Sequence, residues 1–287
     1  MDTLLHGHNN METRAPARVF AVTSGKGGVG KTNVVANLAA ALTMAGKRVM
    51  VVDGDLGLAN LDLLLDVSPQ HTLVDFFAGR QALTDICVTS PLGITVLPAA
   101  SGDPHVTALS NEQKISFLSE LDALPQDANV MLIDTASGIS DLVTYFASAA
   151  HEIVLVITPE PTSLTDAYAL VKILASIHGE KRFWVLANTV EDEDEARRLF
   201  AVLARMAQQF LPVSFDLLGW VPRDPALTRA VTQRRTVMET APHSPSARAF
   251  TTLARRLADS ALETARVKGG LQFFFRGVLA ASLEEKR

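Results

Sequence analysis

Cysteine is nearly missing from this chain: Cys87 is the single one in 287 residues. One thiol cannot build an internal disulfide framework, and a lone cysteine suits a reducing compartment. Long apolar runs are missing too. None approaches the roughly 18 residues that a membrane span requires, although 48% of the residues are hydrophobic. The opening "MDTLLHGHNNMETRAPAR" has no apolar segment of the kind a secretory signal carries. Excess positive charge is absent as well. The formal net charge of -5 excludes a globally basic nucleic-acid binder, though not a local basic patch. There is no internal repeat and no low-complexity linker. A soluble, cytoplasmic chain is expected, with apolar content for a large core and a length that one α/β domain can fill.

Short β-rich runs alternate with helical stretches. The strand candidates are 18–24, 48–53, 93–98, 129–134, 152–158, 182–188 and 216–222. Most are almost continuously apolar, the pattern of strands buried on both faces of a mostly parallel sheet. Helices read at 31–46, 110–123, 140–149, 163–177, 192–210 and 246–266. Strand and helix in alternation predict a doubly wound α/β fold, with helices flanking a mostly parallel sheet. The expected layout is a disordered N-terminus (1–17), one P-loop domain (18–266) and a C-terminal tail (267–287). The acidic run "EDEDEARR" (191–198) is expected to open a solvated helix, its carboxylates favoured by the N-terminal dipole.

The chemistry concentrates at "TSGKGGVGKT" (23–32). Gly25 to Thr32 fits the phosphate-loop spacing G-x-x-x-x-G-K-[ST], directly after an apolar strand and directly before a helix that stops at Gly46. The glycines let backbone N–H groups curl around phosphate oxygens, and the helix N-terminus adds positive potential. Gly25, Lys26, Gly27, Gly28, Val29, Gly30, Lys31, Thr32 and Asn33 are therefore candidate nucleotide-binding residues. Lys31 is expected on the β- and γ-phosphates and the Thr32 hydroxyl on Mg²⁺. "VVDGD" puts Asp53 and Asp55 at the end of the second strand, where residues i and i+2 share a face. "VMLID" ends in Asp134, the arrangement of a carboxylate that holds Mg²⁺ through water. Asp53, Asp134 and Thr32 form the expected metal set. An N-cap role for Asp134 is the structural alternative.

A second lysine, Lys26, follows the first glycine of the loop. "GKGGVGKT" in this form resembles the deviant Walker A motif of the MinD/ParA group of dimerising ATPases. The resemblance runs over nearly the whole chain from residue 18. It implies ATP and ADP as ligands with Mg²⁺, and ATP hydrolysis to ADP and phosphate. It also implies a homodimer formed on ATP, in which Lys26 reaches across to the partner's nucleotide. By the same resemblance Asp55 orients the attacking water and Asp53 is the switch carboxylate near Mg²⁺. Asn188, at the end of "VLAN", matches a hydrogen-bonding partner of adenine; Pro222 and Asp224 match residues lining the base.

Within the group, "LGLANLDLLLDVSPQHTLVDFFAGR" (56–80), "VLPAASG" (96–102) and "EPTSLTDAYALVKIL" (160–174) are similar to the flagellum-number regulators called FlhG or FleN. Those are antiactivators of the σ54-type master activator of flagellar genes. The resemblance adds that activator as a partner, along with the flagellar SRP-type GTPase FlhF. The alternative is a MinD-like ATPase that positions the division site at the membrane. The chain departs from some FlhG proteins in lacking a DQAxxLR element at its N-terminus, and from MinD in carrying Asn33 where a threonine is common. In the tail, Leu271, Phe274, Phe275, Val278 and Leu279 share one helical face. Residues 271–283 read either as a weak amphipathic contact with the inner face of the cell membrane or as a helix docked on the domain. The arginines at 223, 229, 234, 235 and 248 read as a solvated face or a protein-binding rim, and no direct nucleic-acid partner is expected.

Overall fold

The computed structural model describes residues 17–57, 60–99, 109–124 and 128–260. The N-terminal segment expected to be disordered and the tail stripe at 271–283 lie outside these residues, as does the last part of the helix expected at 246–266. Eight strands form one sheet: β1 (Arg18–Ser24), β2 (Val49–Gly54), β3 (Val88–Thr89), β4 (Thr95–Leu97), β5 (Val130–Ser137), β6 (Glu152–Ile157), β7 (Arg182–Val190) and β8 (Ser214–Pro222). Their spatial order is β3, β4, β2, β5, β1, β6, β7, β8. Every pairing is parallel except β3 with β4, which is antiparallel at one edge. The expected doubly wound, mostly parallel architecture is the one observed.

Eleven helices are described: α1 (Lys31–Met44), α2 (Leu61–Leu64), α3 (Leu73–Phe77), α4 (Leu83–Ile86), α5 (Asn111–Ala123), α6 (Asp141–Ala149), α7 (Pro161–His178), α8 (Glu193–Gln208), α9 (Pro225–Thr232), α10 (Val237–Thr240) and α11 (Pro245–Asp259). They cover both faces of the sheet, and the strands feed both cores by alternation. In β1, Val19 and Ala21 enter the core beneath α5 to α8, while Phe20 and Val22 enter the core beneath α1 and α9 to α11. All seven residues of β1 are buried, which suits a central strand. None of the described helices is long and apolar enough to cross a membrane.

Local signals explain the helix ends. Pro161 occupies the first turn of α7, where a missing N–H costs nothing, and Gly179 closes it in the left-handed region. The acidic run opens α8 as expected. Asp192 caps it by accepting the Glu195 N–H at 2.7 Å, and Glu193, Asp194 and Glu195 fill the first turn. α11 starts at an N-cap serine, Ser244, and ends against Arg18, whose guanidinium donates to the carbonyls of Leu257 (2.6 Å) and Ser260 (2.7 Å). The same guanidinium pairs with Glu152. Arg18 thus helps to satisfy the C-terminal carbonyls of α11, with the Ser260 hydroxyl also donating to Leu257 at 3.1 Å.

Candidate functional site

The phosphate loop leaves the C-terminal end of β1, between β5 and β6 in the middle of the sheet. Its first glycine is dictated by packing: a Cβ on Gly25 would lie 2.1 Å from the backbone carbonyl of Asp166 in α7. Its last, Gly30, is dictated by conformation and by a neighbour. Gly30 has φ +84°, and a Cβ there would sit 2.6 Å from Asn188 Nδ2. The Ser24 hydroxyl donates to the Lys26 carbonyl at 2.8 Å and fixes the start of the loop.

The helix that follows is built to receive an anion. α5, α8 and α11 each have a side chain accepting a first-turn N–H, but α1 has no side-chain cap and no acidic residue in its first turn. Its N–H groups are left for phosphate oxygens. Lys31 is buried, with Nζ 3.7 Å from Asp134 Oδ1.

Two buried carboxylates face this cradle. Asp53 and Asp134 lie in direct register on adjacent parallel strands and are each 1% exposed; β5 runs on to Ser137, three residues past the end at Asp134 that the sequence reading gave it. Neither Asp134 oxygen has a hydrogen-bond partner. Burial raises the Asp134 carboxyl to about 6, against the pull of the Lys31 ammonium and the Thr32 hydroxyl. Burial, and then the charge on Asp134, raise Asp53 well above the usual carboxylate range. A buried acid without a hydrogen-bond partner, beside a second buried acid and a phosphate cradle, is costly by itself and well suited to a hydrated cation. The described residues contain no group of three or more His, Cys, Asp or Glu that could hold a metal without help. That suits Mg²⁺, which takes one or two carboxylates and completes its shell with water and phosphate oxygens. Asp134 is a buried acid within β5, and the N-cap of α6 is Ser140, so the capping alternative is excluded. Asp55 lies one residue past the end of β2 and is half-buried, so it does not share a strand face with Asp53 as the i, i+2 argument had it. Its N–H turns back to Asp53 Oδ1 at 3.1 Å.

Lys26 stands apart from Lys31. Its Nζ pairs with Glu160, the N-cap position of α7, on the exposed surface. Sequence reasoning missed Glu160, and no local signal marks a partner 134 residues away.

On the base side, Asn188 is buried and its Nδ2 donates to the Val29 carbonyl at 2.8 Å, bracing the loop from beneath. Its Oδ1 is buried without a partner. The atom left for a base is therefore an acceptor, which fits an exocyclic amino group. Pro222 ends β8, half-buried. Asp224 is a buried junction. One oxygen accepts the Ala226 N–H (2.8 Å), and the other accepts the Ser246 N–H (3.0 Å) and hydroxyl (2.7 Å). It caps α9 and ties it to α11. Burial pushes its carboxyl up, but these hydrogen bonds outweigh burial and hold it below the usual range.

A phosphate loop at the C-terminal end of a central strand, with buried acids on the strands beside it, is the build of a P-loop nucleotide-binding domain. Residues 20–237 match the model of the CobQ/CobB/MinD/ParA nucleotide binding domain, and the chain belongs to that family. Within it the chain falls in the FlhG/FleN branch. It is 44% identical to the protein named Antiactivator FleN from Pseudomonas aeruginosa, over 92% of this chain and 94% of that one. It is 30% identical to the flagellum site-determining protein YlxH of Helicobacter pylori, over 93% and 92% of the two chains. Among solved structures it is similar to the septum site-determining protein MinD of Pyrococcus horikoshii, complexed with Mg-ADP. That likeness has TM-score 0.69 and 27% identity, over 85% of this chain and 96% of that one.

Proposed function

We propose that this chain is a Mg²⁺-dependent ATPase that dimerises on ATP and, as a dimer, restrains the σ54-dependent master activator of flagellar genes, limiting flagellum number. The observation that carries the dimer reading is the separation of the two lysines. Lys31 is committed to the buried acid beside its own cradle, whereas Lys26 is held at the surface by Glu160. A surface pair of this kind is worth little and is readily exchanged for a better anion. The partner subunit's triphosphate is that anion. The antiactivator role rests on likeness to the Pseudomonas protein along nearly the whole chain.

Bound MgATP supplies the phosphoryl group that passes to water. The chain's own contribution is positioning and charge. The loop N–H groups and Lys31 hold phosphate oxygens, and Thr32 with Asp53 and Asp134 holds the hydrated cation. Asp55 orients the attacking water. The unpartnered Asn188 Oδ1 accepts from the adenine amino group, with Pro222 and the Asp224 junction flanking the base. Association with the flagellar GTPase FlhF, and membrane contact through 271–283, belong to the same proposal.

The test is a clean gene deletion, with electron microscopy to count flagella per cell. Many flagella on normally dividing cells are expected. Minicells with unchanged flagella would overturn this reading in favour of a division-site ATPase. In vitro, the purified protein with ATP is expected to lower the ATPase rate of the σ54-type activator. An unchanged rate refutes the antiactivator role.

A further inference from the structure

Asn33 and Asn37 lie one turn apart in α1, immediately after the phosphate loop, and their amides are joined in a chain whose direction can be read. Asn37 is fully buried. Its Oδ1 accepts the Val237 N–H, the first backbone donor of α10, at 2.8 Å. A backbone N–H only donates, so this bond fixes which end of the Asn37 amide is oxygen. Nδ2 must then point the other way. It donates to the Asn33 backbone carbonyl at 2.8 Å and to Asn33 Oδ1 at 2.6 Å. The second amide is thereby oriented by the first. With its oxygen held inward, the half-buried Asn33 is left with its amino group to meet a ligand.

From this we infer that Asn37 is a positioning residue. It sets the polarity of Asn33 so that the side chain beside Thr32 offers an N–H donor, not a carbonyl oxygen, to a nucleotide phosphate, and it ties that setting to α10 on the base side. The inference rests on the proposed nucleotide site. The wrong amide orientation would put a partial negative charge against a polyanion. The right one adds a hydrogen bond to a charged acceptor, the stronger class. The Asn33 backbone carbonyl imposes the same orientation on the Asn37 amide from within α1, and the Val237 N–H, 200 residues downstream, reinforces it from α10.

The decisive variant is Asn37→Asp. It keeps the shape and the acceptor for Val237, but replaces the donor facing Asn33 with an acceptor. Asn33 must then turn its amino group inward and its oxygen outward. Titration of the full-length protein with fluorescent MgADP should show affinity weakened about ten- to a hundredfold, the range of one lost hydrogen bond to a charged group. Slow amide exchange at Val237 should persist, reporting that α10 is still docked. Asn33→Thr separates polarity from added charge, because a hydroxyl can rotate to donate whatever faces it. In that background Asn37→Asp should cost less than about threefold, below the range of a lost charged hydrogen bond. Wild-type affinity in Asn37→Asp, or an equally large loss in the Asn33→Thr background, overturns the inference. Should Asn37→Asp not fold, the half-exposed Asn33→Leu tests the donor alone. It should weaken MgADP without changing Val237 exchange, and unchanged affinity overturns the inference. A wild-type chain that does not bind MgADP would instead refute the nucleotide site on which the inference rests.

Discussion

Replacing Gly30 by alanine should destabilise the nucleotide-free protein through two separable effects. The first is conformational: at φ +84° a Cβ meets its own backbone, at a cost of about 1–2 kcal/mol. The second is steric. The new methyl would fall 2.6 Å from Asn188 Nδ2, so Asn188 must move and its 2.8 Å bond to the Val29 carbonyl breaks. A buried carbonyl left unmet adds about 1–3 kcal/mol. The expected loss is about 2–5 kcal/mol, read by urea unfolding with linear extrapolation. The assay that isolates the mechanism is a double-mutant cycle with Asn188→Ala, which removes both the clash and the bond. In that background Gly30→Ala should cost only its conformational share, leaving a coupling of about 1–3 kcal/mol. Additivity within about 0.5 kcal/mol would refute the claim that Asn188 braces the loop through the space Gly30 leaves open.

Other substitutions address the proposed mechanism. Lys26→Ala should keep ATP binding and lose ATP-dependent dimers; dimers persisting in sedimentation would end the cross-subunit role. The same change should alter stability by less than about 1 kcal/mol, since the Glu160 pair is solvent-exposed. Asp55→Ala should slow hydrolysis and accumulate the ATP dimer, and normal turnover would remove Asp55 from water positioning. Asp224→Asn should cost about 1.5–3 kcal/mol at neutral pH, because an amide cannot accept all three hydrogen bonds at Asp224. The Asp224 carboxyl is held low in the folded state. Its share of stability is therefore present above the unfolded carboxylate value, near 3.9, and is lost as pH falls below that through the folded value. An acid unfolding curve unchanged by Asp224→Asn would contradict this.

The continuously apolar runs made the central strands legible. β1 falls at 18–24, as read, and β5 and β6 begin within a residue of expectation. The two-residue β3 carries no periodicity and escaped notice. So did α2, α3 and α4, each of four or five residues and stabilised by packing more than by propensity. α9 and α10 were not read either, although "DP" before "ALTRAV" is an N-cap followed by proline. At the site, the loop and its two acids were legible because spacing encodes them. What was not legible is every contact between distant segments: Lys26 with Glu160, Asn188 with the Val29 carbonyl, Asn37 with Val237. These depend on which strands become neighbours, and a motif carries no record of that.

The clasp of Arg18 on the end of α11 fixes where that helix stops. α11 is capped at Ser244, and Ser246 is bound to Asp224 on the nucleotide side. Fifteen residues later it reaches the start of β1, the far pole of the sheet from the phosphate loop. At about 1.5 Å per residue that is a rod of roughly 22 Å. Ser260 therefore sits at the pole opposite the phosphate loop. A label or fusion placed there starts well clear of the loop. α11 joins the two poles, so its Arg18 end is a position at which to listen for a change made at the phosphate end.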